Sequence, residues 1–357
     1  MKKISLIILC LMLSCKKDKK PSVPEVDPPV TQKPPVVVKP PVDSGKIYNK
    51  ASLGIVRSGL PWMNNGQFQS KVNEMLNAGA RIIRTDLRES HDTWKVVEIA
   101  RMVKSRNAKL LLNVMDVSSD FSGKRRYVNN ALFKKTCGWN GITALSDLNH
   151  GAFRSRFGAQ VKQLRDNNVS VHAFEIANEI DWVCFNGDVP LGRVANTQDE
   201  QRVANAYKSY FNEAYKIIKK YFPNSLILTA GMANIPDWWK RDSKVHGYNI
   251  IKWLGRDFIS KVDGVAVHQY PRKASDLAVL LDQYKPFLNN RENIYITEWG
   301  FNKNLGGKRL GLMRSFMDAA KKYKHLNVKE VYYYAWDGDH NHFGLNGTGD
   351  TKFLREY

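Results

Sequence analysis

From residue 51 onward the chain alternates between two kinds of hydrophobic spacing. Short apolar runs recur at 51–56 (ASLGIV), 80–86 (ARIIRTD), 109–115 (KLLLNVM), 171–178 (VHAFEIAN), 225–231 (SLILTAG), 262–268 (VDGVAVH), 293–298 (NIYITE) and 329–336 (KEVYYYAW). Runs of this length bounded by turn-forming residues read as buried strands. Between them, apolar residues return every three or four positions over 67–78, 92–106, 150–167, 199–221, 246–260, 274–289 and 306–323, the spacing of one helix face. Such alternation implies parallel strands joined by crossover helices. Eight repeats predict an α/β fold closed into a (β/α)8 TIM barrel rather than an open sheet. Only about 20 residues follow the last strand, too few for a loop and a full crossover helix. The eighth helix is therefore expected to be short or incomplete, its side of the barrel left open or covered by Phe353 and Leu354.

Ahead of residue 46 the pattern changes twice. MKKISLIILCLMLSC has two lysines, an apolar run too short to span a bilayer, then a small residue and a cysteine, the layout of a secretory signal. Its end, Leu13-Ser14-Cys15, resembles the lipobox of bacterial lipoproteins, which implies cleavage after residue 14 and lipidation of Cys15. Residues 15–45 have neither period, hold eight of the fourteen prolines and repeat Pro-Pro-Val at 28, 34 and 40. Such a stretch favours extended polyproline II and serves as a spacer. The expected organisation is a signal peptide at 1–14, an anchored proline-rich linker at 15–45 and one barrel domain at 46–357, in a lipoprotein of the cell envelope tied to the membrane through its anchor.

Cys137 and Cys184 are the cysteines of the folded part, both in expected loops and in an oxidising compartment. They are either a disulfide tying two loops together or two free thiols. The net charge of +21 fits an acidic partner such as a uronate-bearing or sulfated glycan, or the anionic membrane surface. Lysines scattered over helix exteriors fit it equally. No nucleic-acid motif is present, and an exported chain has no nucleic acid to meet.

In a barrel of this kind functional groups collect at the carboxyl ends of the strands, where the loops share one mouth. Those ends read Arg84 and Asp86, Asn113, Asn178 and Glu179, His268 and Tyr270, Glu298, and Trp336. Polar groups beside a core cost free energy unless they are paired, so this concentration implies a site. Glu179 ends the fourth strand and Glu298 the seventh, so they face each other across the mouth. Cleavage of a glycosidic acetal needs one carboxylic acid to protonate the leaving oxygen and one carboxylate to attack the anomeric carbon, with environments that differ.

At this point the sequence resembles clan A of the glycoside hydrolases, retaining (β/α)8 enzymes that include families 5 and 39. Asn178-Glu179 is similar to the clan's acid/base motif, Glu298-Trp299-Gly300 to its strand-seven nucleophile and His268-Gln269-Tyr270 to its His-x-Tyr, while Trp336 fits its strand-eight sugar platform. The resemblance implies Glu179 as acid/base, Glu298 as nucleophile, Asn178 as a donor to the sugar 2-hydroxyl and Arg84 as the donor that orients Glu298. Ile180 stands where many members have proline, which loosens the family assignment more than the reaction.

Aromatic candidates for stacking on sugar are Trp62, Trp139, Trp182, Trp238, Trp239 and Trp336, whereas Trp94 and Trp253 fall within helices and read as core. The loop DGDHNH at 337–342 groups histidines and aspartates without a helical His pair, and the expected reaction needs no metal or other cofactor. The sequence thus predicts a retaining glycosidase cleaving β-linkages in a polysaccharide or oligosaccharide, endo-acting in preference to exo-acting. The alternative is a surface glycan-binding lipoprotein on a non-catalytic barrel.

Overall fold

Residues 49, 51–88, 92–114, 131–139, 141–237, 241–289, 292–337 and 342–357 are described by the computed structural model. The expected signal, Cys15 and the linker to residue 45 lie outside these residues. The eight strands are β1 (Ser52–Val56), β2 (Ile82–Leu87), β3 (Lys109–Val114), β4 (Ala173–Ile176), β5 (Leu226–Leu228), β6 (Val265–Gln269), β7 (Asn293–Trp299) and β8 (Asn327–Tyr334). Each overlaps its expected run, with β2, β6 and β7 ending one residue beyond it and β8 beginning two residues before it. They pair in parallel in the order β5-β4-β3-β2-β1-β8-β7-β6. The gap between β5 and β6 is bridged at Leu228↔Gly264 and Met232↔Val267. There Thr229 Oγ1 accepts the Ala266 N–H at 2.9 Å, a side chain standing in for a ladder bond.

Both faces of the sheet are covered, so the strands are mostly apolar and the period of two sorts residues between two cores. One set, including Leu53, Ile55, Ile83, Leu110, Leu112, Ile294, Ile296, Val331 and Tyr333, packs outward on the helices. The other, Val56, Ile82, Leu111, Ala173, Leu228, Ala266, Tyr295 and Tyr332, fills the barrel interior. Gly54 is needed inside because a Cβ there would lie 2.5 Å from the Tyr332 ring. This apolar layer is the floor on which the mouth is built.

The outer ring comprises α1 (Asn65–Ala78), α2 (Thr93–Ser105), α3 (Ala131–Cys137), α4 (His150–Asp166), α5 (Thr197–Tyr221), α6 (Gly247–Leu254), α7 (Arg256–Ile259), α8 (Asp276–Tyr284), α9 (Lys308–Lys322) and α10 (Phe353–Glu356). On α1, Phe68, Val72, Met75 and Leu76 form the buried stripe, the i, i+4, i+7, i+8 spacing of a core-facing helix. Asn196 and Asp199 form a reciprocal capping box that starts α5. The single helix expected over 246–260 is broken by Gly255 at φ 78°, and α8 gives way to a 3-10 turn at Pro286, which has no N–H to continue the ladder. The α3 helix, seven residues long, has too few turns to show a period. The eighth crossover helix is reduced to α10, whose Phe353 and Leu354 are buried. Arg355 joins α10 to α1 by donating to the Ala78 and Asn77 carbonyls.

Candidate active site

Neighbouring residues on a regular strand point to opposite faces, so Asn178 and Glu179 could not both face the mouth if β4 simply ran on. Instead the backbone enters the left-handed region at Ala177 (φ 73°) and Glu179 (φ 48°), at a cost of about 1–2 kcal/mol for each L-residue. Asn113 Nδ2 donates to the Ala177 carbonyl at 3.0 Å, and the Glu179 N–H donates to the Gly231 carbonyl at 2.8 Å. With the turn so held, Asn178 Oδ1 accepts from Arg84 Nη2 at 3.0 Å and Glu179 Oε1 lies 2.8 Å from His268 Nδ1. Gly231 keeps this space open, since a Cβ there would come within 2.2 Å of His268 Nε2.

A second irregularity aims Glu298. Tyr295 faces the interior, so strict alternation would send Thr297 inward and Glu298 out toward the helices. The register slips at this point: Val267 pairs with Ile296 but His268 with Glu298, and Ile296 with Val331 but Trp299 with Tyr333. This β-bulge turns two consecutive side chains inward. Thr297 Oγ1 donates to Glu175 Oε1 at 2.6 Å, while Glu298 accepts from Arg84 Nη1 at 2.7 Å and from the Tyr270 hydroxyl at 2.5 Å. Trp299 returns to the outside and stacks on Phe316 with ring centroids 4.2 Å apart.

Three buried carboxylates therefore meet two buried cations. Arg84 Nε donates to Glu175 Oε2 at 2.5 Å, and His268 Nε2 lies 3.8 Å from Glu175 Oε1. Burial pushes Glu175 up, but Arg84 and His268 outweigh it and hold the carboxyl at about 2. Burial pulls the His268 imidazolium down, yet Glu298, Glu175 and Glu179 together raise it to about 10, so Nδ1–H donates to Glu179. Glu179 goes the other way. Burial, with the charges of Glu298 and Asp181 added, pushes it up to about 7 against the His268 hydrogen bond. Glu179 is thus the carboxylate that keeps its proton up toward neutral pH.

One polar atom each of Glu179, His268 and Glu298 lies within 4.8 Å of the others. A cation could be shared at that spacing, but the Arg84 guanidinium and the His268 imidazolium already neutralise these oxygens. The donor set suits a proton better than a metal.

Residues 195–355 match the model of the glycosyl hydrolase catalytic core. No curated protein matches the chain. Solved structures similar to this chain include the β-glycosidase BGL167, at 10% identity and TM-score 0.55 over 89% of this chain and 97% of that one. The endo-1,4-β-D-mannanase of Thermotoga petrophila RKU-1 aligns at 12% identity and TM-score 0.53, covering 86% and 99%. A GH5-4 broad specificity endoglucanase from Clostridium acetobutylicum aligns at 14% identity and TM-score 0.54, covering 88% and 96%. These likenesses establish the TIM-barrel fold.

The fold brings Arg84, Asn178, Glu179, His268, Tyr270 and Glu298 together as the sequence suggested. Asp86 stands beside them, its carboxylate accepting the Gly59 N–H at 2.7 Å. Trp336 requires a correction. It is 2% exposed and packs in the outer core, with its indole N–H 3.3 Å from Glu74 on α1. β8 ends at Tyr334, after which the Trp336 N–H donates to the Val56 carbonyl, so strand parity no longer applies. Tyr334, in step with inward-facing Tyr332, is the aromatic at the mouth, edge-on to Tyr270 at 6.0 Å.

Trp182 is half-buried against Phe185 at 5.7 Å, and Trp139 packs on the same ring at 5.8 Å. Cys137 and Cys184 are joined in a disulfide that ties α3 to this loop. Trp62 is exposed beneath the Arg88 guanidinium. Trp94, expected in the core, is 43% exposed and meets Phe68 edge-on. Trp238, Trp239 and residues 338–341 lie outside the described residues. Of the DGDHNH loop, Asp337 is an ion-pair partner of Arg57 at 2.8 Å. Sequence reading missed Glu175, although a charge in the middle of AFEIAN was the available signal.

Proposed function

We propose that the protein is a retaining glycoside hydrolase cleaving β-linkages within a polysaccharide, with Glu179 as general acid/base and Glu298 as nucleophile. The observation that carries this reading is the pair of carboxylate oxygens within 4.8 Å of each other in opposite environments. Retaining enzymes hold their two carboxyl groups about 5–5.5 Å apart, too close for an intervening water. Glu298, oriented by Arg84 and Tyr270, attacks the anomeric carbon as Glu179 gives its proton to the leaving oxygen. The first product departs and a glycosyl ester on Glu298 remains. Glu179, now a carboxylate beside His268, takes a proton from water, whose oxygen attacks the same carbon and frees Glu298.

Endo action is supported by the long connections after β3 and β4, which are suited to cleft walls, and by the similar structures named as an endo-mannanase and an endoglucanase. Attachment to the envelope through Cys15 belongs to the same proposal, and fractionation of a Cys15→Ser variant decides it. The catalytic test incubates the full chain with a panel of neutral and acidic β-glycans while the anomeric configuration of the first product is followed by NMR. Retention is expected, with Glu179→Gln and Glu298→Gln each losing at least about a hundredfold in rate. An inverted product rejects the retaining assignment. Binding without turnover on every glycan leaves the non-catalytic barrel in its place.

A further inference from the structure

A second polar cleft of about 90 Å³ lies beside the acid/base turn, among Asn234, Asp237, Lys244, His246, Gly247 and Tyr248. That is room for several waters, enough for a charged substituent. Its floor is Lys244, whose side chain is 3% exposed while the Asp237 side chain that pairs with it at 2.9 Å is 67% exposed. The Lys244 ammonium also donates to the Ile235 carbonyl. His246 Nε2 lies 3.6 Å from the same Asp237 oxygen, and its ring stacks on Tyr248 at 4.9 Å. The amino end of α6 opens at the same place and adds a partial positive charge.

The cleft is built into the catalytic turn. Lys244 pairs with Trp182 in an antiparallel bridge, and the Val245 N–H donates to the Asp181 carbonyl at 2.9 Å. The Asp181 carboxylate accepts the Ala233 and Asn234 N–H groups at 2.7 and 3.0 Å. Asp181 and Trp182 are the second and third residues after Glu179. Gly247 lets α6 approach this closely, because a Cβ there would lie 2.5 Å from the Tyr284 hydroxyl.

A buried ammonium needs a counter-charge, and here the carboxylate that supplies it is itself 67% exposed, where water can solvate it when another anion takes its place. We infer that Asp237 holds the place of a ligand's anion, and that this cleft is a subsite for an anionic substituent, a uronic acid carboxylate or an ester sulfate, on the glycan bound at the mouth. The inference rests on the glycosidase reading and gives part of the chain's positive charge a specific use. When the ligand's anion enters, Asp237 swings into solvent and Lys244 and His246 exchange one anionic partner for another.

The test measures binding calorimetrically to the full chain carrying Glu298→Gln, so that bound ligand is not consumed. The ligands are three oligosaccharides with one backbone: neutral, uronate-bearing and sulfated. At least one charged ligand is expected to bind about tenfold more tightly than the neutral one. Asp237→Asn, at an exposed position, should widen that ratio, and Lys244→Met should abolish it while neutral binding is kept; melting curves show that both variants fold. Equal binding of all three ligands, or an Asp237→Asn variant with an unchanged ratio, overturns the subsite. Cleavage by the parent chain is followed separately. Charge preference without any cleavage sinks the glycosidase reading alone, and cleavage with no charge preference sinks the subsite alone.

Discussion

The barrel brings a glutamate, a histidine and a tyrosine together at each of its ends. At the amino end Glu330 accepts the Tyr332 hydroxyl, lies 2.8 Å from His172 Nε2 and has the Lys109 ammonium at 3.9 Å. Burial pushes its carboxyl up, but these partners outweigh it and hold Glu330 below the ordinary range. At the mouth Glu298, His268 and Tyr270 repeat the set, and Glu175 and Glu179 are added with only Arg84 to balance them. One carboxylate with three donors is settled, whereas three carboxylates sharing two cations leave a proton on one of them near neutral pH. The backbone differs in degree: β8 slips register beside Glu330, where Ile294 pairs with Val328 but Tyr295 with Glu330, whereas the mouth adds left-handed turns at Ala177 and Glu179 to the Thr297 bulge. Reactivity here comes from crowding like charges and from turning adjacent side chains inward, not from the residue types themselves.

Removing one carboxylate at each end is the strongest way to break the comparison. Glu175→Gln leaves Arg84 buried with one anionic partner fewer, and loss of one side of such a pair costs about 3–5 kcal/mol. Glu330→Gln should cost about 1 kcal/mol, because Lys109 is half-exposed and can return to water. Urea denaturation of both variants checks this, and equal losses would mean that the mouth network is no more tightly balanced than the other end.

Glu179 sharpens the contrast through pH. Its folded value of about 7 lies above the ordinary 4.5, so the native state holds a proton that the unfolded chain has released. The resulting stability is full below pH 4.5 and is lost as pH rises through 7, a difference of about 3 kcal/mol. Between pH 4.5 and 8 the parent should lose about that much relative to Glu179→Gln, as read from denaturation midpoints. The rate of glycan cleavage should fall over the same upper limb as the acid loses its proton. A parent and variant with parallel pH profiles would place the shared proton elsewhere.

The apolar runs located all eight strands because each is buried on both faces and bounded by turn residues. The site residues were legible for a related reason, since an arginine or glutamate closing an apolar run has few explanations other than a polar mouth. What escaped was geometry at the level of single residues. Glu175 lies inside its strand rather than at the end, so a search of strand ends passed over it. Tyr334 was overlooked for Trp336 because the larger ring drew attention past the residue where β8 stops. The bulge at Thr297 has no composition signal. It shows only in the clash between a period that sends Glu298 outward and a chemistry that needs it inward.

The smallest effect tests that broken period directly. Ala173 and Ala177 stand at opposite ends of the β4 segment, both fully buried, but only Ala177 is left-handed. At Ala173 glycine adds unfolded-state freedom with no relief, so Ala173→Gly should cost about 1 kcal/mol. At Ala177 the same cost is offset by the left-handed conformation that glycine adopts freely, and Ala177→Gly should stay within about 0.5 kcal/mol of the parent. Its kcat should fall several-fold with KM little changed, because the freed turn no longer fixes the Glu179 carboxyl against His268. Denaturation midpoints and steady-state kinetics on one glycan read both quantities. If the two glycine variants lose equal stability, the left-handed turn is not held against its own preference, and the strain assigned to the mouth is absent.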